Sequence, residues 1–192
     1  MLMKLNRQLI AAVTIGGFIA AAPGQAQIGL VLGAGGTLRG ALSSGVSYNG
    51  VGYNVLAGLV LRAPLLPFAI RVDGQYDQFS SPLNVYQDRI YSATVNAEYS
   101  LPTPLVRPYI VGGAGYYHIT ARYFNPLAAP GSPTEIEVPT SGMGMNAGLG
   151  ARSGLGDIGL FIEWRYHYVF AGGANNPAGH TAYAPFTIGL TL

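Results

Sequence analysis

Asp157-Ile158-Gly159-Leu160-Phe161-Ile162-Glu163-Trp164-Arg165-Tyr166-His167-Tyr168 changes its chemistry at every step. Side chains on an extended strand alternate between faces. Ile158, Leu160, Ile162, Trp164, Tyr166 and Tyr168 therefore share one face, and Gly159, Phe161, Glu163, Arg165 and His167 share the other. One face is greasy and the other carries the charges. Greasy-out and charged-in is the pattern of a strand that crosses an outer membrane, the inverse of a soluble barrel. The ribbon alone does not say which face is outside; composition, connection lengths and the N-terminus do.

The chain has 192 residues, enough for one domain, and only 9% of them are charged where about 25% is usual. Beyond the N-terminus no run approaches the roughly 18 apolar residues of a membrane helix. Hydrophobicity is spread thinly, as alternation spreads it. The N-terminus reads as a secretory signal: Lys4 and Arg7 precede an apolar core from Leu9 to Ala22, and small residues follow up to Ala26. We expect residues 1–26 to be removed and 27–192 to form the mature domain; a cut after Ala22 would place Pro23 at +1, which is unfavourable.

Without the signal the only lysine is gone, and eight arginines face eight acids. The mature chain is formally neutral, so its basic pI offers no argument for nucleic acid. Zero cysteines exclude a disulfide framework and thiolate chemistry.

Prolines divide the chain, because a strand ladder tolerates them poorly. They leave eight expected strands at about 28–38, 51–62, 67–79, 89–101, 108–122, 141–152, 157–168 and 183–192. The long connections 39–50, 80–88, 123–140 and 169–182 alternate with the short ones 63–66, 102–107 and 153–156. Short periplasmic turns, longer external loops and an even strand count belong to an up-and-down transmembrane barrel with both termini periplasmic. The third, fourth and sixth strands repeat the two-faced pattern; for example, Phe68, Ile70, Val72 and Tyr76 oppose Arg71, Asp73, Gln75 and Asp77. The second is weaker, and the first and fifth are glycine-rich and ambiguous.

A soluble barrel would carry interspersed lysine and glutamate outside. Here the wet face is mostly Gly, Ser, Thr and Asn, which suits a narrow lumen. Tyr53, Tyr76, Tyr91, Trp164, Tyr166 and Tyr168 are expected on the lipid-facing side near the long loops, with Phe68, Tyr99 and Tyr109 near the short turns. Two such aromatic girdles fit membrane–water interfaces.

Ser92-Ala93-Thr94-Val95-Asn96-Ala97-Glu98-Tyr99, Arg107-Pro108-Tyr109-Ile110-Val111-Gly112-Gly113-Ala114-Gly115 and Glu163-Trp164-Arg165-Tyr166-His167 resemble the small outer-membrane β-barrel domain family, the OmpA, OmpX and Opa group. The resemblance spans about 28–192 and implies an all-β, eight-stranded antiparallel barrel, inserted by the barrel-assembly machinery. Members of such families usually end in an aromatic residue. Here Phe186, Ile188 and Leu190 keep the alternation, but Leu192 stands last.

Arg71, Asp73, Glu98, Arg152, Glu163, Arg165, His118 and His167 form the expected lumen constellation. Charges confined in a narrow lumen must be paired, so the group reads as a structural ion-pair plug; a conductance gate or a catalytic site is the alternative. A hydrolase needs a nucleophile, a base and an orienting acid in one place, and His118, His167 and His180 lack a persuasive serine. Their separation gives no metal spacing, and the glycine runs 33–36 and 112–115 precede no helix, so neither is a dinucleotide motif. We therefore expect no catalytic residues, metal or cofactor. The expected protein is a non-enzymatic outer-membrane barrel contacting lipid, with a structural or surface-interaction role through the loops 39–50, 80–88, 123–140 and 169–182. A narrow channel for ions or small apolar solutes is the alternative reading, and a lipid-modifying enzyme ranks third.

Overall fold

A computed structural model describes residues 27–39, 51–64, 66–80, 86–124, 135–155, 158–171 and 179–192. The expected signal peptide lies outside them. The strands are β1 (Gln27–Arg39), β2 (Val51–Arg62), β3 (Ala69–Ser80), β4 (Tyr86–Ser100), β5 (Val106–Phe124), β6 (Glu135–Leu155), β7 (Ile158–Val169) and β8 (Thr181–Thr191). Each pairs antiparallel with the next, and β1 pairs with β8 from Val31↔Thr191 to Arg39↔Tyr183. The sheet is a closed up-and-down barrel with no free edge along the shared part of its wall.

Alternation sorts the side chains as the β7 pattern requires. Phe161, Glu163, Arg165, His167 and Val169 are buried inside, while Ile158, Leu160, Ile162 and Trp164 are exposed outside. The outer face continues around the wall with Val55, Leu59, Val72, Val95, Ile110, Met145, Leu149 and Ile188, each about half exposed. An apolar belt on this scale is unfavourable in water and suits hydrocarbon. The inner face is closed by contact rather than left open. Tyr109 and Tyr117 lie over Gly150 and Gly144, where a Cβ would run into the rings. Glycine there is required by close approach, since the lumen of eight strands has room for a ring or a side chain but not both.

Three strands begin earlier than the sequence predicts, inside the expected long connections. β6 begins at Glu135 rather than 141, so β5 and β6, with 19 and 21 residues, extend well past the roughly 9–11 a crossing needs. The expected 123–140 connection shrinks to 125–134, outside the described residues; the 80–88 connection likewise gives way to β4 from Tyr86, and 169–182 to β8 from Thr181. The early start of β6 takes in Pro139, a residue that strand ladders tolerate poorly. It pairs with Thr120 of β5 on one side, while the β6–β7 ladder starts only at Gly144↔Val169. Its missing N–H therefore costs no ladder bond on the unpaired side. Pro185 acts similarly within β8: the β7–β8 ladder skips from Trp164↔Phe186 to His167↔Tyr183 around it.

Candidate functional site

The middle of the lumen holds a closed cycle of alternating charges. Arg71, from β3, donates its Nε to Asp73 Oδ1 (2.7 Å) and its Nη1 to Glu163 Oε2 (2.6 Å). Arg165, from β7, donates Nη2 to Glu163 Oε1 (2.6 Å) and Nη1 to Asp73 Oδ2 (2.9 Å). Two guanidinium groups and two carboxylates thus bridge β3 and β7 across the barrel. Alternation supplies the geometry, because Arg71/Asp73 and Glu163/Arg165 are each two apart and so share the inward face.

Glu98 of β4 extends the cycle downward. It accepts from Arg152 at 2.9 and 3.1 Å through both carboxylate oxygens and lies 3.5 Å from Arg71 Nη1. Three acids meet three arginines. Asn96 donates to Asp73 Oδ2 (3.0 Å), Asn146 donates to Asn96 Oδ1 (2.9 Å), and the Tyr109 hydroxyl donates to Glu163 Oε2 (3.0 Å). Arg71, Asp73, Glu98 and Arg165 are each no more than 1% exposed and Glu163 is 3% exposed, so the group is buried, with Glu98 also reaching the wall of a small cavity at the short-turn end. Pairing and hydrogen bonding offset the desolvation that such burial imposes.

Apolar layers lie above and below. Toward the long connections, Phe79, Ile90, Tyr117, Ile119, Val169, Ala171 and Tyr183 pack as one cluster. The His167 ring stacks on Tyr183 at 4.7 Å, with its Nδ1 3.0 Å from the Tyr117 hydroxyl. Toward the short turns, Val31, Leu56, Val60, Ala69 and Phe161 form a second cluster. Between the upper cluster and the charges, Asp77 accepts from Thr37 (2.8 Å) and Gln75 (2.9 Å).

Seven of the eight expected lumen residues face inward, and His118 does not. It stands opposite Tyr91 across the β4–β5 ladder, on the outer face, 2.8 Å from the Ser141 hydroxyl. Tyr109 moves the other way: expected in the lipid-facing girdle, it is 2% exposed inside the barrel. Both errors come from β5, where apolar residues occupy both faces. Tyr109, Val111, Tyr117 and Ile119 are buried while Ile110 and Tyr116 are exposed. Alternation without a polar face has no sign; only the register with β4 assigns it.

Tyr53, Phe68, Tyr91, Tyr99 and Trp164 are exposed on the outer face, and Tyr76, Tyr166 and Tyr168 are half-buried there. Trp164 stands at mid-strand in β7 rather than near its long-loop end. Tyr53, Tyr76 and Tyr91 make a ladder across β2, β3 and β4, with centroids 6.1 and 4.9 Å apart. The first two hydroxyls both donate to Gln78. An apolar ring with a hydrogen-bonded tip suits a membrane boundary. The inward aromatic cluster had no counterpart in the sequence reading, which treated the inner face as wet.

Among solved structures the barrel is similar to Neisserial surface protein A, with a TM-score of 0.59 and 15% identity over 88% of this chain and 98% of that one. It is also similar to the N-terminal β-barrel domain of Pseudomonas aeruginosa OprF, with a TM-score of 0.50 and 16% identity over 88% of this chain and all of that domain. The chain has the fold of the small eight-stranded outer-membrane β-barrels. No family model matches it, and no curated protein sequence does. At these identities the likeness concerns architecture.

Proposed function

We propose that the chain is an exported outer-membrane barrel with a shut lumen, non-enzymatic, whose structural or surface-interaction role is carried by its long connections. The carrying observation is the central charge cycle, buried to 0–3% exposure within a wall whose outer face is apolar. A conducting pore needs water around its charges; here they are paired with one another and lie between two apolar clusters. The network serves as a brace that fixes the barrel's cross-section.

In this reading residues 1–26 direct export, the mature domain 27–192 is inserted by the barrel-assembly machinery, and the termini and short turns face the periplasm. The connections within 39–50, 80–88, 123–140 and 169–182 then meet partners outside the cell, and the apolar belt meets lipid. One of these structural neighbours is itself named a surface protein. A lipid-modifying enzyme is disfavoured because His118 and His167 lie on opposite faces of the wall and cannot share a substrate. Planar-bilayer recording on the refolded protein tests the closed lumen. Silence is expected, and steady stepwise conductance at neutral pH would refute it.

A further inference from the structure

The lumen network leaves two cations over. Asp73, Glu98 and Glu163 are matched by Arg71, Arg152 and Arg165. Arg62, the last residue of β2, comes only to 3.9 Å from Glu98, which Arg152 already clamps, and its side chain is 42% exposed. Arg107, near the start of β5, has no hydrogen-bond or ion-pair partner among the described residues. Yet Arg107 and Arg152 are direct cross-strand partners on the lumen side, and both act on Arg62 as like charges. Like charges placed opposite one another in an antiparallel pair are destabilising. The arrangement calls for a counter-charge.

The three guanidinium groups line one cavity of about 390 Å³ at the short-turn mouth, with Ser100, Gln27 and Thr191 adding polar atoms to its wall. Its lining comes from strand ends opposite the long connections. The Arg152 guanidinium lies over the Tyr109 ring at 5.0 Å, and its Nε is buried without a partner. Glu98, beneath this mouth, is committed to the network. A planar guanidinium presents paired donors that match phosphate oxygens two at a time, which an ammonium does not.

We propose that this mouth is a binding site for a small, multiply charged oxyanion of the phosphate class, held by Arg62, Arg107 and Arg152. The volume lies at the lower end of ligand sites, which run roughly from 300 to 1,000 Å³, so a diphosphate or a phosphomonoester fits and a polymer does not. The phosphate comes from a soluble ester or from a lipid headgroup reaching over the rim. The inference is independent of which compartment the mouth faces and of whether the loops bind a partner.

The test is calorimetric titration of sodium pyrophosphate into the full mature chain refolded in zwitterionic detergent. Saturable one-site binding is expected, weakened about tenfold in Arg62→Gln and in Arg107→Gln. It should be lost in the double variant and weakened by added sodium chloride. Arg89→Gln, on the outer face at the opposite end, should bind as the wild type does. In anion-free buffer Arg107→Gln should unfold at no lower urea than wild type, because it relieves repulsion; this also shows that the variant folds. Repeating the titration in phosphatidylcholine and phosphatidylglycerol bilayers separates the sources. Weaker pyrophosphate binding in the anionic bilayer identifies lipid as the occupant, and equal binding identifies the soluble anion. No saturable binding, or equal affinity in both single variants and wild type, overturns the proposal.

Discussion

Glu163→Gln isolates the role of the charge cycle, since it keeps the side chain's volume and removes one charge. In the wild type the Glu163 carboxylate accepts from Arg71, Arg165 and Tyr109 while 3% exposed. The amide leaves Arg71 and Arg165 to share Asp73, with Glu98 a distant 3.5 Å from Arg71. Stranding buried positive charge in this way costs about 3–5 kcal/mol. Adding Arg165→Met removes the surplus cation and leaves the Arg71–Asp73 pair intact. The double variant should then be less destabilised than Glu163→Gln alone, with a coupling of at least about 1 kcal/mol, because residues in one network are not additive. Urea unfolding from lipid vesicles, followed by fluorescence of Trp164, measures all four corners of the cycle. Trp164 is the sole tryptophan, and it leaves lipid when the barrel opens. The shift in gel mobility between heated and unheated samples checks each variant independently. Unchanged stability in Glu163→Gln, or strictly additive single costs, would refute the brace.

Val95→Arg tests the orientation of the faces: Val95 is 58% exposed midway along the outer face of β4. In lipid it should cost about 2–4 kcal/mol by the same unfolding assay, whereas on a water-facing surface the change would stay within about 0.5 kcal/mol. Gly150→Val drives a side chain into the Tyr109 ring and the Ile162 carbonyl and should cost about 1–3 kcal/mol in the same assay; unchanged stability would mean that ring and strand are not in close contact there. Single cysteines at Ser132 and Thr103, introduced into a chain that has none, report topology. An impermeant maleimide applied to intact cells should label Ser132→Cys and reach Thr103→Cys only after the outer membrane is opened; the reverse would invert the barrel.

Architecture was legible wherever one face of a strand is polar. In β7, Glu163, Arg165 and His167 against Ile162, Trp164 and Tyr166 fix both strand and orientation, and β3 and β4 repeat the pattern with Arg71, Asp73, Asn96 and Glu98. The charged lumen residues were therefore nameable without coordinates. The alternating long and short connections added the up-and-down order, because short turns can only join antiparallel neighbours.

Local pattern could not supply what depends on register. Whether Tyr109 and His118 look inward is undecided along β5 itself and is settled by Ser100 and Tyr91 standing opposite them on β4. Pro139 could be accommodated in β6 because of which edge lacks a ladder, a property of the closed sheet rather than of the residue. Which arginine meets which carboxylate, and that Arg62 and Arg107 are left over at one mouth, likewise follows from bringing β3 against β7 and β5 against β6. The sequence by itself determined how many strands the chain has and, wherever one face of a strand is polar, which residues share that face, because side chains change sides at every residue. The tertiary structure decided partners, plugs and surplus charge, because they depend on residues as far apart as Arg71 and Glu163 being carried to within hydrogen-bond reach by barrel closure.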